Sequence, residues 1–261
     1  MSMRSGVIAI NPVAFRLGPI NVYWYGLIIA AAVVTGLAVA KRLGRKFNFS
    51  PSLFDDFLFV ALPLALVGSR LWYVVFNWQW FEADLRRIVS IWEGGLAIHG
   101  AVVVAIIIAW FFARTKKINF LRFVDICAAP LILGQAIGRW ANYVNQEAYG
   151  PPTNLPWAMY IDGAYRHPTF LYESLWNLLV FFVLWRLLRK KPAPGKVFAL
   201  YLVGYSIGRF FIEGLRTDSL MIGPFRTAQV TSLVFIAVGI GIYASAYYIR
   251  KGIHKDEGIE D

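Results

Sequence analysis

Arginines, carboxylates and amides recur at helical spacing in a chain that is otherwise strongly apolar. In "GRWANYVNQEAYG", Arg139, Asn142 and Gln146 are three and four apart, and Glu147 follows. In "GYSIGRFFIEGLR", Tyr205, Arg209, Glu213 and Arg216 are four, four and three apart. Such spacing lines side chains along one face of a helix, in the first case provided the helix continues through Gln146. Two arginines on facing helices make a fork-like anion site suited to phosphate. Arginine keeps its charge when partly dehydrated, whereas lysine can lose it. The plainer reading of Arg209 and Glu213 is a structural i,i+4 ion pair, which is compatible with the first. His99, in "GGLAIHG", reads as a general base or as a hydrogen-bonded structural histidine. The chain has three histidines and no HExxH or paired spacing, so no metal site is expected.

The elements that position these residues are apolar. Of 261 residues, 58% are hydrophobic and 16% charged, against about 25% charged in a soluble domain. An all-α polytopic membrane protein is expected. Seven segments approach the ~20 residues that cross a bilayer: 22–40, 54–77, 94–112, 123–142, 169–186, 197–215 and 227–249. The expected organisation is an N-terminal arm over 1–21, either lying in the membrane interface, which Phe15 and Arg16 suit, or disordered, a seven-helix domain over 22–249 and a charged tail over 250–261. The start of the chain lacks the features of a signal peptide, so the first apolar segment is expected to be a retained span. The single cysteine, Cys127, excludes an internal disulfide and reads as a small core residue.

Charge distribution sets the expected orientation. Sixteen lysines and arginines fall in the first, third and fifth connections and the tail, against seven in the arm and the other connections. The positive-inside rule then puts the N-terminus outside and the C-terminus in the cytoplasm. This asymmetry accounts for the net charge of +11 without nucleic acid as a partner.

With that orientation, Tyr25, Arg70, His99, Arg139, Asn142, His167, Glu173, Tyr205, Arg209, Glu213 and Arg216 all fall toward the outer side, while the cytoplasmic halves are nearly pure Leu, Val, Ile, Phe and Ala. Ionisable residues within spans are functional candidates because they must face the bundle interior or a wet cavity. Snorkelling to the headgroups explains one such arginine, but it would scatter them over both leaflets. A transporter would need polar groups along a path to the other side, and these are missing. The residues alone imply a membrane enzyme handling an anionic lipid at the outer face. A non-catalytic anionic-lipid binder or exporter is the alternative. His99 and the carboxylates beside the arginines separate the two, since a simple binder does not need them.

"GRWANYVNQEAYG" resembles the signature of the prolipoprotein diacylglyceryl transferases. The resemblance extends in order to "YWYG", "GSRLWYV", "GGLAIHG", "HPTFLYE" and "YSIGRFFIEGLR". Tyr143 stands where the family usually has phenylalanine, and Phe170 where many members have glutamine. The resemblance implies transfer of the diacylglyceryl group of phosphatidylglycerol to the lipobox cysteine of a prolipoprotein signal peptide, with release of glycerol phosphate. This is the first step of lipoprotein maturation, in the bacterial cytoplasmic (inner) membrane with the site toward the outer face. Its partners would be phosphatidylglycerol, lipobox signal peptides and membrane lipids, with no cofactor. By motif, Arg139 and Arg209 would hold the phosphate and His99 would be a base or an orienting residue. Tyr25, Arg70, Asn142, Glu147, Glu173, Tyr205, Glu213 and Arg216 would line the substrate site.

Overall fold

The computed structural model describes residues 11–256, with side chains of the last helix described through Ala246. It contains seven α-helices: α1 (Trp24–Arg45), α2 (Pro51–Phe76), α3 (Ile98–Thr115), α4 (Phe120–Val144), α5 (Thr169–Arg189), α6 (Lys196–Glu213) and α7 (Thr227–Asp256). Three two-stranded antiparallel hairpins accompany them: β1 (Val13–Leu17) with β2 (Ile20–Tyr23), β3 (Met159–Ile161) with β4 (Ala164–Arg166), and β5 (Met221–Ile222) with β6 (Phe225–Arg226). The described part of the expected arm is thus the β1–β2 hairpin, whose register pairs Val13 with Tyr23 and Leu17 with Ile20. Residues 1–10 of that arm and 257–261 of the expected tail lie outside the described residues, and α7 runs on to Asp256.

Helices α1 to α5 and α7 are each long and apolar enough to cross a membrane, which makes this a mostly helical polytopic membrane protein. Helix α6, 18 residues long, carries Lys196, Arg209 and Glu213 within that length and is not among these six. Two helix ends fall elsewhere than the sequence pattern suggests. The pattern begins the third segment at 94, but Gly94 (φ +86) and Gly95 (φ +72) adopt left-handed backbone that cannot propagate a helix, so α3 starts at Ile98. The signature helix stops at Val144, and Gln146 sits at φ +53. Gln146 therefore does not extend the Arg139–Asn142 stripe.

The chain divides into two compact units, one made of residues up to Leu43 and from Asp125 onward, the other of Gly44–Val124. In the second unit, α2 and α3 pack through Gly68 and Gly100. A Cβ at Gly100 would collide with the Gly68 carbonyl oxygen, so only glycine lets the backbones approach this closely. Phe54, Phe57, Phe112 and Phe123 form an aromatic cluster in this unit, with centroids 5.0–6.0 Å apart.

In the first unit, α4, α5 and α6 are joined by hydrogen bonds between polar side chains and backbone. Ser174 Oγ donates to the Ala136 carbonyl at 2.9 Å and Trp176 Nε1 to the Gly204 carbonyl at 2.8 Å. At the other end of α4 from Arg139, the fully buried carboxylate of Asp125 accepts the N–H groups of Gly195 and Phe198, both at 2.8 Å. It thereby satisfies orphan donors at the start of α6. The expectation of a nearly pure apolar lining fails at Asp125, because a helix start needs an acceptor wherever it is buried.

Candidate active site

Glu173, on α5, is the hub of an ion-pair network in the first unit. It is 4% exposed. Its Oε2 lies 2.6 Å from Arg139 Nε on α4, and its Oε1 lies 2.6 Å from Arg209 Nη1 on α6. Arg209 Nη2 reaches Glu213 Oε2, also at 2.6 Å. Arg216, just past the end of α6, holds Asp218 through Nε at 3.0 Å and Nη2 at 2.8 Å, while its Nη1 is 3.9 Å from Glu173 Oε1. The network sets three arginines against three carboxylates. Glu173 Oε2 and Glu213 Oε2 meet their arginines as close ion-pair contacts without hydrogen-bond geometry.

The pairing decides which guanidinium edge can take an anion. Both terminal nitrogens of Arg209 are committed to carboxylates. Arg139 spends only Nε on Glu173; its Nη1 makes a long, 3.5 Å contact with Asn142 Oδ1, and its Nη2 has no hydrogen bond to a described residue. The side chain is 21% exposed. The structural ion pair anticipated for Arg209 and Glu213 is therefore present, and the Nη1–Nη2 edge of Arg139 has no carboxylate partner among the described residues.

The signature turn carries this edge onward. Asn142 Nδ2 donates to Glu147 Oε1 at 2.9 Å, making a chain Arg139–Asn142–Glu147. Glu147 sits between two non-glycine residues in left-handed backbone, Gln146 (φ +53) and Ala148 (φ +56). Strain of this kind costs of order 1–3 kcal/mol per residue and survives only where the surroundings enforce it. Here Gln146 Nε2 donates to the Tyr143 carbonyl at 2.8 Å, Gln146 Oε1 accepts from Asp162 N at 2.8 Å, and Thr169 Oγ1 donates to the Ala148 carbonyl. Gly150 completes the turn; a Cβ there would lie 2.7 Å from His167 Cβ and 2.9 Å from the Leu215 carbonyl oxygen.

The positions where the resemblance expects other residues, Trp140, Tyr143 and Phe170, meet one another. Phe170 is buried and stacks on Tyr143, with centroids 4.8 Å apart and rings at 18°. Position 170 thus supplies an apolar wall. Tyr205 stacks on Tyr201 at 6.0 Å, one turn before Arg209. Tyr25 is exposed and lines an open cleft of about 640 Å³ with Tyr23, Gly26, Leu27 and Asn145. His167 Nδ1 shares a hydrogen bond with Tyr172 Oη at 3.3 Å.

Two expected residues belong to the second unit. His99 is exposed at the second position of α3. Arg70 is 6% exposed and directs its guanidinium at backbone carbonyls.

Asp218 and Arg226 join the site without standing out in the sequence. Burial alone would raise the Asp218 pKa, but the hydrogen bonds and charge of Arg216 outweigh it and hold the carboxyl below its usual value. Arg226 Nη1 donates to the carbonyls of Glu213 and Arg216, the latter at 3.0 Å, closing the end of α6. The signal available for Asp218 was its position two residues from Arg216; for Arg226 there was none, since its partners are carbonyls. Among the described residues, no group of three or more His, Cys, Asp and Glu side chains comes together as a metal site.

The family model described as prolipoprotein diacylglyceryl transferase matches residues 12–245. A phosphatidylglycerol–prolipoprotein diacylglyceryl transferase of Listeria innocua is 46% identical, over 92% of this chain and 91% of its own length. Proteins of the same name from Clostridium novyi and a Nostoc species are 46% and 45% identical, covering 94% and 92% of this chain and 99% and 90% of their own. The chain belongs to the prolipoprotein diacylglyceryl transferase family.

Proposed function

We propose that this protein transfers the diacylglyceryl group of phosphatidylglycerol to the lipobox cysteine thiol of prolipoproteins, the first step of lipoprotein maturation. The observation that carries the reading is the Arg139–Glu173–Arg209 network, two half-buried arginines on a buried carboxylate with one guanidinium edge left open, in a chain of this family. The substrate thiol loses its proton to a base, because the thiolate is the nucleophile and an ordinary thiol pKa is near 8.5. The thiolate attacks the glyceryl carbon bonded to the phosphate oxygen. A C–S bond forms and the C–O bond breaks, with its electron pair remaining on oxygen. The phosphodiester monoanion leaves as glycerol phosphate carrying a second negative charge. Fixed cations aimed at that growing charge lower the barrier.

In this reading, Arg139 binds the phosphate through Nη1 and Nη2 while Glu173 fixes its orientation through Nε. Arg209 and Arg216 act by their charge and by holding Glu173 and Glu213. Asn142, Glu147, Tyr25 and Tyr205 shape the polar lining. His99 serves as base or orienting residue, a role supported by its motif. Seven spans, with α6 as the sixth, and an outward-facing site in the bacterial cytoplasmic membrane complete the proposal; the sixteen-to-seven asymmetry of basic residues supports the orientation.

The test is incubation of purified protein with headgroup- and acyl-labelled phosphatidylglycerol and a lipobox peptide. Acyl label on the peptide and headgroup label in free glycerol phosphate, both abolished with a Cys→Ser peptide, are expected. Lipid binding without transfer would replace the enzyme reading with that of a lipid binder or exporter.

A further inference from the structure

Arg70 has a part that its phosphate-friendly chemistry does not suggest. A guanidinium carries five N–H donors in a planar fork. In the second unit all five lie on backbone carbonyls: Nε on Ile88 at 2.9 Å, Nη1 on Gly94 at 2.6 Å and Gly95 at 3.0 Å, and Nη2 on Arg87 at 2.5 Å and Ser90 at 3.3 Å. The rings of Phe81 and Tyr73 stand 5.2 and 5.9 Å from its central carbon. No donor remains for an anion. A buried cation is costly unless its hydrogen-bonding capacity is filled, and here the connection between α2 and α3 folds around the side chain and fills it.

The carbonyls belong to the connection that leads into His99. That connection holds three short 3-10 turns, Trp78–Trp80, Leu85–Val89 and Ile91–Glu93, and no long element of its own. Left-handed backbone at Gly94 and Gly95 accompanies two adjacent carbonyls on one nitrogen. A Cβ at Gly95 would sit 2.6 Å from Arg70 Nη1 and 2.7 Å from Tyr73 Cε1. The neighbouring Ser69 carbonyl accepts the Ala97 N–H at 3.0 Å. Ala97 is the N-cap of α3 and His99 follows two residues later. Together with the Gly68–Gly100 approach, "GSR" grips "GGLAIHG" at three successive points.

We propose that Arg70 is a positioning residue: it anchors the 87–95 connection through its carbonyls and so fixes the start of α3 and the direction of His99. The consequence for transfer rests on the reading above that His99 serves that reaction. An ammonium has three donors and cannot span the five carbonyls, so Arg70→Lys keeps the charge and loses the anchor. Misplacing a reacting group by about 1 Å costs ~10²-fold in rate, while the lipid phosphate is held elsewhere.

The experiment compares wild type, Arg70→Lys, Gly95→Ala and His99→Ala in lipid nanodiscs. Amide hydrogen exchange and steady-state transfer to a lipobox peptide are measured on each. Arg70→Lys is expected to speed exchange at Ser90, Gly94 and Ala97 by at least ~10-fold, with α4–α6 amides unchanged. Its kcat should fall ~10–100-fold while KM for phosphatidylglycerol stays within ~2-fold. Gly95→Ala, which crowds the same guanidinium and keeps Arg70, should show the same pattern even where Arg70→Lys fails to fold. Unchanged local exchange in both variants would overturn the anchor. So would a KM raised ~10-fold at constant kcat in Arg70→Lys, the signature of a lost phosphate ligand. If His99→Ala transfers normally, the assigned role of His99 falls while the exchange data still decide the anchor.

Discussion

Glu173→Gln separates holding the lipid from converting it. The carboxylate touches Arg139 and Arg209 at 2.6 Å and is 4% exposed. The amide keeps its shape but removes one negative charge from a cluster that is balanced, three arginines to three carboxylates. A phosphate on the outer edge of Arg139 would lie about 6 Å from that charge. At an effective dielectric of ~20 the repulsion removed is about 2.8 kcal/mol, and at ~40, suited to a partly exposed edge, about 1.4 kcal/mol. The smaller figure is tenfold in affinity. The monoanionic lipid should therefore bind ~10-fold tighter and the dianionic product, glycerol phosphate, ~10²-fold tighter. Turnover should fall, because the Gln amide offers N–H to one of two guanidiniums that need an acceptor and Arg139 loses its fixed orientation. A slowing of ~10²-fold is the scale of a misplaced transition-state donor. The assay measures phosphatidylglycerol binding, single-turnover transfer and inhibition by glycerol phosphate on the same preparation. Parallel loss of binding and turnover would refute the electrostatic reasoning and leave Glu173 as a structural brace.

Other outcomes follow from the same geometry. Asp125→Ala removes the acceptor for two N–H groups at the start of α6 and should lower stability by about 1–2 kcal/mol, read as a lower melting temperature with unchanged KM. For Asp218, the carboxyl pKa is depressed in the folded chain, so its pairing with Arg216 contributes stability above the unfolded pKa of about 3.9 and loses it as pH falls through the lower folded value. The melting difference between wild type and Asp218→Asn should be constant from pH 8 to 5 and close only below about 3.9. In a Cys127→Ala background, cysteines at 45, 116 and 190 should resist an impermeant thiol reagent in intact cells, while one placed within 152–164 reacts; the reverse pattern would overturn the orientation.

The helices were legible because hydrophobic runs near the length of a bilayer crossing leave few alternatives. Their ends were less so. Gly94 and Gly95 have no side chain to reveal that they turn the backbone toward Arg70. Gln146 has the spacing of a helical stripe, but the chain leaves the helix before reaching it. The arginines stand out in the sequence as costly residues. Their division of labour was not visible, because spacing shows which residues share a face and not which nitrogen meets which oxygen. Arg209 and Arg139 look alike in sequence; only the structure shows the first spent on two carboxylates and the second with an open edge. Asp125 escaped notice because its partners are backbone N–H groups some seventy residues away, which leave no mark on composition.

The most direct test of the account is Arg139→Lys, with lipid binding and single-turnover transfer to a lipobox peptide measured side by side at one pH. Lysine keeps the charge, but one ammonium cannot hold Glu173 and present two parallel N–H groups to a phosphate. Measurable phosphatidylglycerol binding with transfer at least ~10²-fold slower is expected. Near-normal transfer would contradict it, because charge alone would then suffice at that position.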